Sequence, residues 1–299
     1  MSFSDEEAVD LLTQMVRIPS LCGQETEVAN LLQQVLERAG VETCRDNAGN
    51  VLGVCGPALG NERKIFLLGH MDTVPGVIPV AVRDGSLYGR GAVDAKGPLA
   101  TAMVAAIRAA GRTKLRITVI GAVQEEGPSV GARYLARQPG PDYLVICEPG
   151  GWDSLVLGYK GSQRFTVELQ QPATHGAYPS ATAPERLVDF WLRLQAFCGE
   201  HSPGDAETTA FNALTPSLIG MSAGGDGLQE EASLSIGMRL PPGIDVEFIR
   251  TQVPVLMTDA IFHFQAGEPC VRAGKSNALV AAMVRGIRSE GGAPRFKVK

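Results

Sequence analysis

The chain has 299 residues, 44% hydrophobic and 20% charged, which at roughly 150 residues per domain predicts two globular domains. Lys and Arg number 27 against 32 Asp and Glu, so the net charge is −5; this excludes a general nucleic-acid binder, and 6% aromatic residues leave little for stacking on single strands. No apolar run approaches the ~20 residues of a membrane span, and the acidic start Met1-Ser2-Phe3-Ser4-Asp5-Glu6-Glu7 does not read as a secretory leader.

The chain opens on a helix. Ser4 and Glu7 form a capping box, Leu11, Leu12, Met15 and Val16 give the apolar stripe, and Pro19 stops it. A second helix carries Val28, Leu31, Leu32, Val35 and Leu36 and ends at Gly40. The period then changes. Val51–Cys55 and Lys64–Gly69 read as strands, the latter apolar enough to be buried on both faces. Leu99, Met103, Ala106, Ile107 and Ala110 recur at helical spacing; Leu115–Val123 is a strand, Pro128–Arg137 a helix, and Tyr143–Cys147 another buried strand. Strands alternating with helices predict an α/β layered domain.

From about Gly161 the pattern differs. Arg164–Leu169 alternates like a half-buried strand, and Pro184–Phe197 is a helix with Pro at its start. Ser217–Met221 and Ala232–Arg239 are strands, a helix over Asp245–Met257 is kinked at Pro254, and Ile261–Gln265 is a strand. This β-α-β-β-α-β order predicts a ferredoxin-like α+β domain inserted into the first. Asn277–Arg288 is an amphipathic helix, and Arg295–Lys299 is strand-like.

The chemistry-bearing residues fall between Gly69 and Pro149. Gly69-His70-Met71-Asp72-Thr73 follows a buried strand, Gly91-Ala92-Val93-Asp94-Ala95-Lys96-Gly97 precedes a helix, Gln124-Glu125-Glu126-Gly127 follows the next strand, and Glu148 ends the one after. Ligands of open α/β sheets bind at such strand ends. Any one of these residues alone reads as structural: a satisfied His, a solvated Glu pair, a turn Asp. Four such sites along one sheet edge fit metal ligation, because imidazole with carboxylates suits zinc. Asp72, two residues past His70, is placed to orient the imidazole. Glu125 and Glu126 in extended chain point opposite ways, so one is expected to ligate and the other to act as base. The six cysteines (Cys22, Cys44, Cys55, Cys147, Cys198 and Cys270) contain no C-x-x-C pair and read as reduced thiols of a cytoplasmic protein. Gly220-Met221-Ser222-Ala223-Gly224 is a formal G-x-S-x-G with Asp245 and His263 downstream, but the expected hairpin after Ser222 lacks the required strand–turn–helix.

Gly69-His70-Met71-Asp72-Thr73-Val74-Pro75-Gly76, Leu87 to Leu99 with Lys96-Gly97-Pro98, and Gly158-Tyr159-Lys160-Gly161 make the chain recognisable. Over essentially its whole length it resembles the zinc-dependent deacylases and exopeptidases that include acetylornithine deacetylase, succinyl-diaminopimelate desuccinylase and carboxypeptidase G. Within them it is most similar to the branch that releases lysine or ornithine from a small acidic amino-group carrier protein in lysine and arginine biosynthesis. The resemblance implies a helix-covered mixed-sheet catalytic domain over 1–159 and 272–299, and a lid and dimerisation domain over 160–271. It implies two zinc ions per subunit, replaceable by cobalt: His70 and Glu148 on one, Asp94 bridging, Glu126 on the second. Glu125 is then the general base, Asp72 orients His70, and His175 stabilises the oxyanion. The same resemblance implies that Arg239 binds the substrate carboxylate and that Asn212 also reaches the substrate, while His201 and His263 read as structural. The implied bond is the isopeptide between the carrier's C-terminal Glu and the α-amino group of lysine or ornithine. Relatives place a further zinc-binding His near the C-terminus, and none follows His263. A C-terminally truncated chain with an incomplete second metal site is therefore expected. The alternatives are an acetylornithine deacetylase-like deacylase of small molecules and an inactive metal-binding homologue.

Overall fold

A computed structural model describes residues 3–173, 180–202 and 210–299. In chain order its elements are α1 (Asp5–Arg17), α2 (Thr26–Arg38), β1 (Glu42–Arg45), β2 (Val51–Cys55), β3 (Lys64–His70), β4 (Ala81–Arg83), β5 (Ser86–Tyr88), α3 (Lys96–Ala109), β6 (Arg116–Ala122), α4 (Val130–Leu135) and β7 (Tyr143–Ile146). There follow β8 (Ser154–Val156), β9 (Gly158–Tyr159), β10 (Gly161–Pro172), α5 (Ala183–Glu200), β11 (Thr215–Gly225), β12 (Gln229–Leu240), α6 (Val246–Gln252), β13 (Ile261–Phe264), β14 (Val271–Arg272), α7 (Ala278–Ser289) and β15 (Arg295–Lys297). They group into two compact units, Met1–Gly150 and Gly151–Lys299.

In the first unit α1 starts on the capping box: Ser4 Oγ accepts the Glu7 N–H at 3.2 Å and Glu7 Oε2 accepts the Ser4 N–H at 2.6 Å. At the end of α2, Gly40 takes φ +73°, so its N–H reaches Glu37 O at 2.9 Å and the Val41 N–H reaches Leu36 O at 3.0 Å. The sheet order is β1-β2-β6-β3-β7, with β3 parallel to β6 and β7, and with β2 antiparallel to β1 and β6. Leu32 and Leu36 of α2, Leu99, Met103 and Ile107 of α3, and Val119 of β6 share the core. Each such side chain contributes about 1.5–3 kcal/mol on burial.

Two expectations need correction here. Tyr143–Ile146 is not buried on both faces: β7 is an edge strand, and Leu144 and Ile146 are 46% and 44% exposed. An apolar run reports strand character, not position within a sheet. The helix expected over Pro128–Arg137 shrinks to α4, because Ser129 before it is left-handed at φ +52°. The short strands β1, β4 and β5 carried no readable period.

In the second unit β10-α5-β11-β12-α6-β13 builds an antiparallel sheet of order β11-β12-β10-β13. This is the β-α-β-β-α-β arrangement read from the sequence. Inward residues Phe165, Val167 and Leu169 of β10 and Leu234, Ile236 and Met238 of β12 pack with Leu187, Phe190 and Leu194 of α5. A capping box starts α5, where Glu185 Oε2 accepts the Thr182 N–H at 2.8 Å. Pro254 does not kink one long helix. α6 stops at Gln252 and a 3₁₀ turn over Val253–Leu256 follows. The pairs β9–β14 and β8–β15 stand apart from that sheet, and Leu155, Leu157, Val280 and Ile287 form a second, smaller core.

Candidate active site

The first unit brings five acidic side chains to His70, those of Asp72, Asp94, Glu125, Glu126 and Glu148. His70 ends β3, in register with Ala122 of parallel β6. Glu125 and Glu126 lie in the turn after β6, Glu148 lies two residues past β7, and Asp94 lies in the turn before α3. These are the C-terminal ends of neighbouring parallel strands plus one loop. The His70 imidazole is 1% exposed. Its Nε2 stands 3.3 Å from Asp94 Oδ1, 3.6 Å from Glu148 Oε1 and 4.0 Å from Glu125 Oε2. Its Nδ1 stands 2.9 Å from Asp72 O and 3.3 Å from Asp72 Oδ1. A carbonyl only accepts, so Nδ1 carries the proton and Nε2 faces the carboxylates.

Two donor groups emerge, one of His70, Asp94 and Glu148 and one of His70, Glu125 and Glu126, each with its atoms within 4.8 Å. Ligands bound at 2.0–2.2 Å to a tetrahedral ion stand about 3.3–3.6 Å apart. The spacings of His70 to Asp94 and to Glu148 match that, so this donor set fits a divalent cation.

The charges point the same way. Burial works against a protonated His70, yet the Asp72 hydrogen bond and the charges of Glu148 and Glu125 outweigh it and lift the imidazole to about 9. Burial, with the charges of Glu125 and Asp94, raises the Glu126 carboxyl. Burial also works against the Asp72 carboxylate, but hydrogen bonds from His70 and from the Glu126 and Glu125 N–H groups hold it low. The pocket thus holds more negative charge than one imidazole offsets. A divalent cation held by these residues would supply the difference and take the place of the Nε2 proton.

The expectation that Glu125 and Glu126 point opposite ways is corrected. Gln124 is left-handed at φ +57° and the segment is a turn, not extended chain, so both carboxylates come within the His70 group. Lys96, two residues past Asp94, is 1% exposed and donates to Met15 O at 2.9 Å and Ile18 O at 2.7 Å. It ties the Asp94 turn to the end of α1, and burial lowers its ammonium to about 8. Sequence reasoning missed two residues. Glu25 accepts the Gln124 N–H at 3.0 Å, and Asn50 Oδ1 accepts the Val123 N–H at 3.0 Å. Neither had a local signal, because Glu25 reads as an ordinary helix start and Asn50 as a turn former.

In the second unit Arg239 is exposed on β12, opposite Ser162 of β10 and Thr215 of β11. Asn212 lies in the turn before β11, a turn held by Lys160 Nζ donating to Ala210 O and Ala213 O. His175 lies outside the described residues. His201 Nδ1 lies 2.8 Å from Phe197 O, and His263 Nε2 lies 3.3 Å from Glu168 Oε2. The serine reading fails on geometry. Ser222 sits inside β11 with Oγ 2.8 Å from Ser233 Oγ, and Asp245 caps α6 by accepting the Phe248 N–H at 2.7 Å.

Residues 66–295 match the model of peptidase family M20/M25/M40. The chain is 40% identical over 303 residues to the [LysW]-lysine hydrolase of Deinococcus radiodurans, covering 98% of this chain and 82% of that protein. It is 36% identical to a putative [LysW]-lysine/[LysW]-ornithine hydrolase of Pyrococcus furiosus, covering 99% and 82%. Among solved structures it is similar to a tripeptidase from Staphylococcus aureus (TM-score 0.75, 18% identity, covering 100% of this chain and 85% of that one). It is also similar to human carnosine dipeptidase 1 (TM-score 0.72, 18% identity, 98% and 84%). At that identity the structures speak for the mixed α/β fold alone.

Proposed function

Because the chain belongs to peptidase family M20/M25/M40, a family of metal-dependent hydrolases, we propose that it hydrolyses the amide joining lysine or ornithine to a small acidic amino-group carrier protein. One observation carries this substrate: the near full-length similarity to a [LysW]-lysine hydrolase. The group of His70, Asp94 and Glu148 supports zinc; His70, Glu148 and Asp94 would hold one ion, and Asp94 and Glu126 would hold a second. When bound, zinc lowers the pKa of water to about 7 and polarises a carbonyl.

The chain's own residues do the rest. Asp72 fixes the His70 tautomer and leaves Nε2 free to ligate. Glu125 accepts the proton of the water whose oxygen attacks the amide carbonyl. It returns that proton to the α-amino nitrogen as the C–N bond breaks. We assign oxyanion stabilisation to His175 and hold on the amino acid's α-carboxylate to Arg239 and Asn212, a bidentate Arg being suited to that group. With net charge −5 the chain offers an acidic carrier no overall attraction, so docking is local.

We further propose a catalytic domain over 1–159 and 272–299 and a lid over 160–271. The separate small core of Leu155, Leu157, Val280 and Ile287 supports that division. The uncharged edge strand β11, with Leu218, Ile219 and Met221 exposed, supports a homodimer through the lid. A cytoplasmic protein is the compartment this reading fits.

The test sets carrier-linked lysine, carrier-linked ornithine and N-acetylornithine side by side, before and after chelation. Cleavage of a carrier-linked amide, lost with chelator and restored by zinc or cobalt, is expected. Faster deacetylation of N-acetylornithine overturns the carrier reading.

A further inference from the structure

Four consecutive backbone N–H groups are each accepted by a side-chain oxygen. Val123 donates to Asn50 Oδ1 at 3.0 Å, Gln124 to Glu25 Oε1 at 3.0 Å, Glu125 to Asp72 Oδ1 at 3.0 Å and Glu126 to Asp72 Oδ2 at 2.9 Å. The acceptors come from three separate stretches of chain, and together they clamp the segment that carries both glutamates. Close approach is part of the design: a Cβ on Gly131 would sit 2.1 Å from Asn50 Oδ1, so only glycine admits Asn50 there.

Glu25 is the member of this clamp that holds the Gln124 amide. It is 5% exposed, and among the described residues its carboxylate makes no ion pair. Its Oε1 accepts two backbone donors, the N–H of Gly23 at 2.9 Å and that of Gln124 at 3.0 Å. A buried carboxylate without a cation is costly unless hydrogen-bonded. Cys22, Glu25 and Asp72 offer donor atoms within 4.8 Å of one another, but both carboxylates are engaged with amides, which marks this cluster as architecture. The residue Glu25 holds is the strained one. Gln124 at φ +57° is left-handed with a Cβ in place, a conformation that persists only where its surroundings over-determine it. That same residue turns the chain so that Glu125 and Glu126 both face His70.

We propose that Glu25 is a positioning residue: through the Gln124 N–H it fixes the left-handed turn that aims the Glu125 and Glu126 carboxylates at the His70 pocket. The inference rests on the roles given above to Glu125 and Glu126.

The test compares Glu25→Ala, Glu25→Gln and Glu25→Ala/Gln124→Gly by zinc affinity against a chromophoric chelator, by kcat and KM, and by thermal melting. Glu25→Ala is expected to weaken zinc binding and lower kcat by about 10–100-fold, with KM moved less than about threefold. Glu25→Gln keeps an accepting oxygen and should stay within about threefold of the unsubstituted chain. Gln124→Gly in the Ala background should recover part of both losses, because glycine takes that φ without a Cβ penalty. If Glu25→Ala does not fold, Glu25→Asp, one methylene shorter, carries the same comparison. A Glu25→Ala protein that melts lower but keeps zinc affinity and kcat overturns the proposal. So does a Glu25→Gln protein that falls as far as the Ala variant. If the unsubstituted chain cleaves no carrier-linked amide, the substrate reading falls alone, and the zinc series still decides the role of Glu25.

Discussion

The two nitrogens of His70 face different groups, and that division sets the chemistry available. Nδ1 is committed to Asp72, so Nε2 is left toward Asp94 and Glu148. Glu125, farther off at 4.0 Å and 48% exposed, is free to take part in proton transfer. Glu125→Gln should cut kcat by about 10²–10⁴-fold while zinc affinity changes only a few-fold, read by steady-state kinetics and metal titration. Comparable losses in zinc binding and turnover would make Glu125 a ligand instead. Lys96 shows a second kind of dependence. Its ammonium is buried and donates to two main-chain carbonyls at the end of α1. Lys96→Met strands those acceptors and should destabilise the fold by about 1–3 kcal/mol in urea unfolding. The cysteines make a chemical check on burial. Burial pushes the Cys147 and Cys198 thiols up to about 12, whereas Cys44 is exposed. Maleimide at pH 8 should label Cys44 on the native chain well before either of the other two; equal rates would contradict the burial.

Among the elements, caps fix where helices stop, and strand ends place the site. The terminus of α2 depends on Gly40 at φ +73°, and a side chain there would meet nothing within 4 Å. Its cost is therefore purely conformational, and Gly40→Ala should lower stability by about 1–2 kcal/mol without changing turnover. The pairing of β3 with β6 and β7 in parallel matters more for function. It brings His70, the turn after β6 and Glu148 to one edge, because parallel strands end together. An antiparallel neighbour would have sent one of those residues to the far side of the sheet.

For the whole molecule, the question is what covers β11. Its 11 residues include no charge, and Leu218, Ile219 and Met221 are 41%, 58% and 53% exposed on the outermost strand of its sheet. Edge strands of that kind pair with another strand unless blocked. Ile219→Lys should convert the proposed dimer to monomer in analytical ultracentrifugation, with the melting temperature of the monomer little changed. A chain already monomeric at micromolar concentration, before substitution, would dismiss the dimer.

Sequence by itself determined what local energetics control. The capping boxes at Ser4 and Thr182, the terminus at Gly40 and the alternation of Arg164–Leu169 are each satisfied within a few residues, so composition and period announced them. The order of elements, and with it a mixed α/β unit followed by a β-α-β-β-α-β sheet, followed from those local signals. The tertiary structure decided what depends on partners far along the chain. The turn at Gln124 is set by Glu25, Asn50 and Asp72, which lie 99, 73 and 53 residues from the amides they hold. No period encodes such a bond, so the sequence read Glu125 and Glu126 as extended chain. Likewise the apolar run Tyr143–Ile146 became an edge strand because neighbours, not its own residues, fix its place in the sheet.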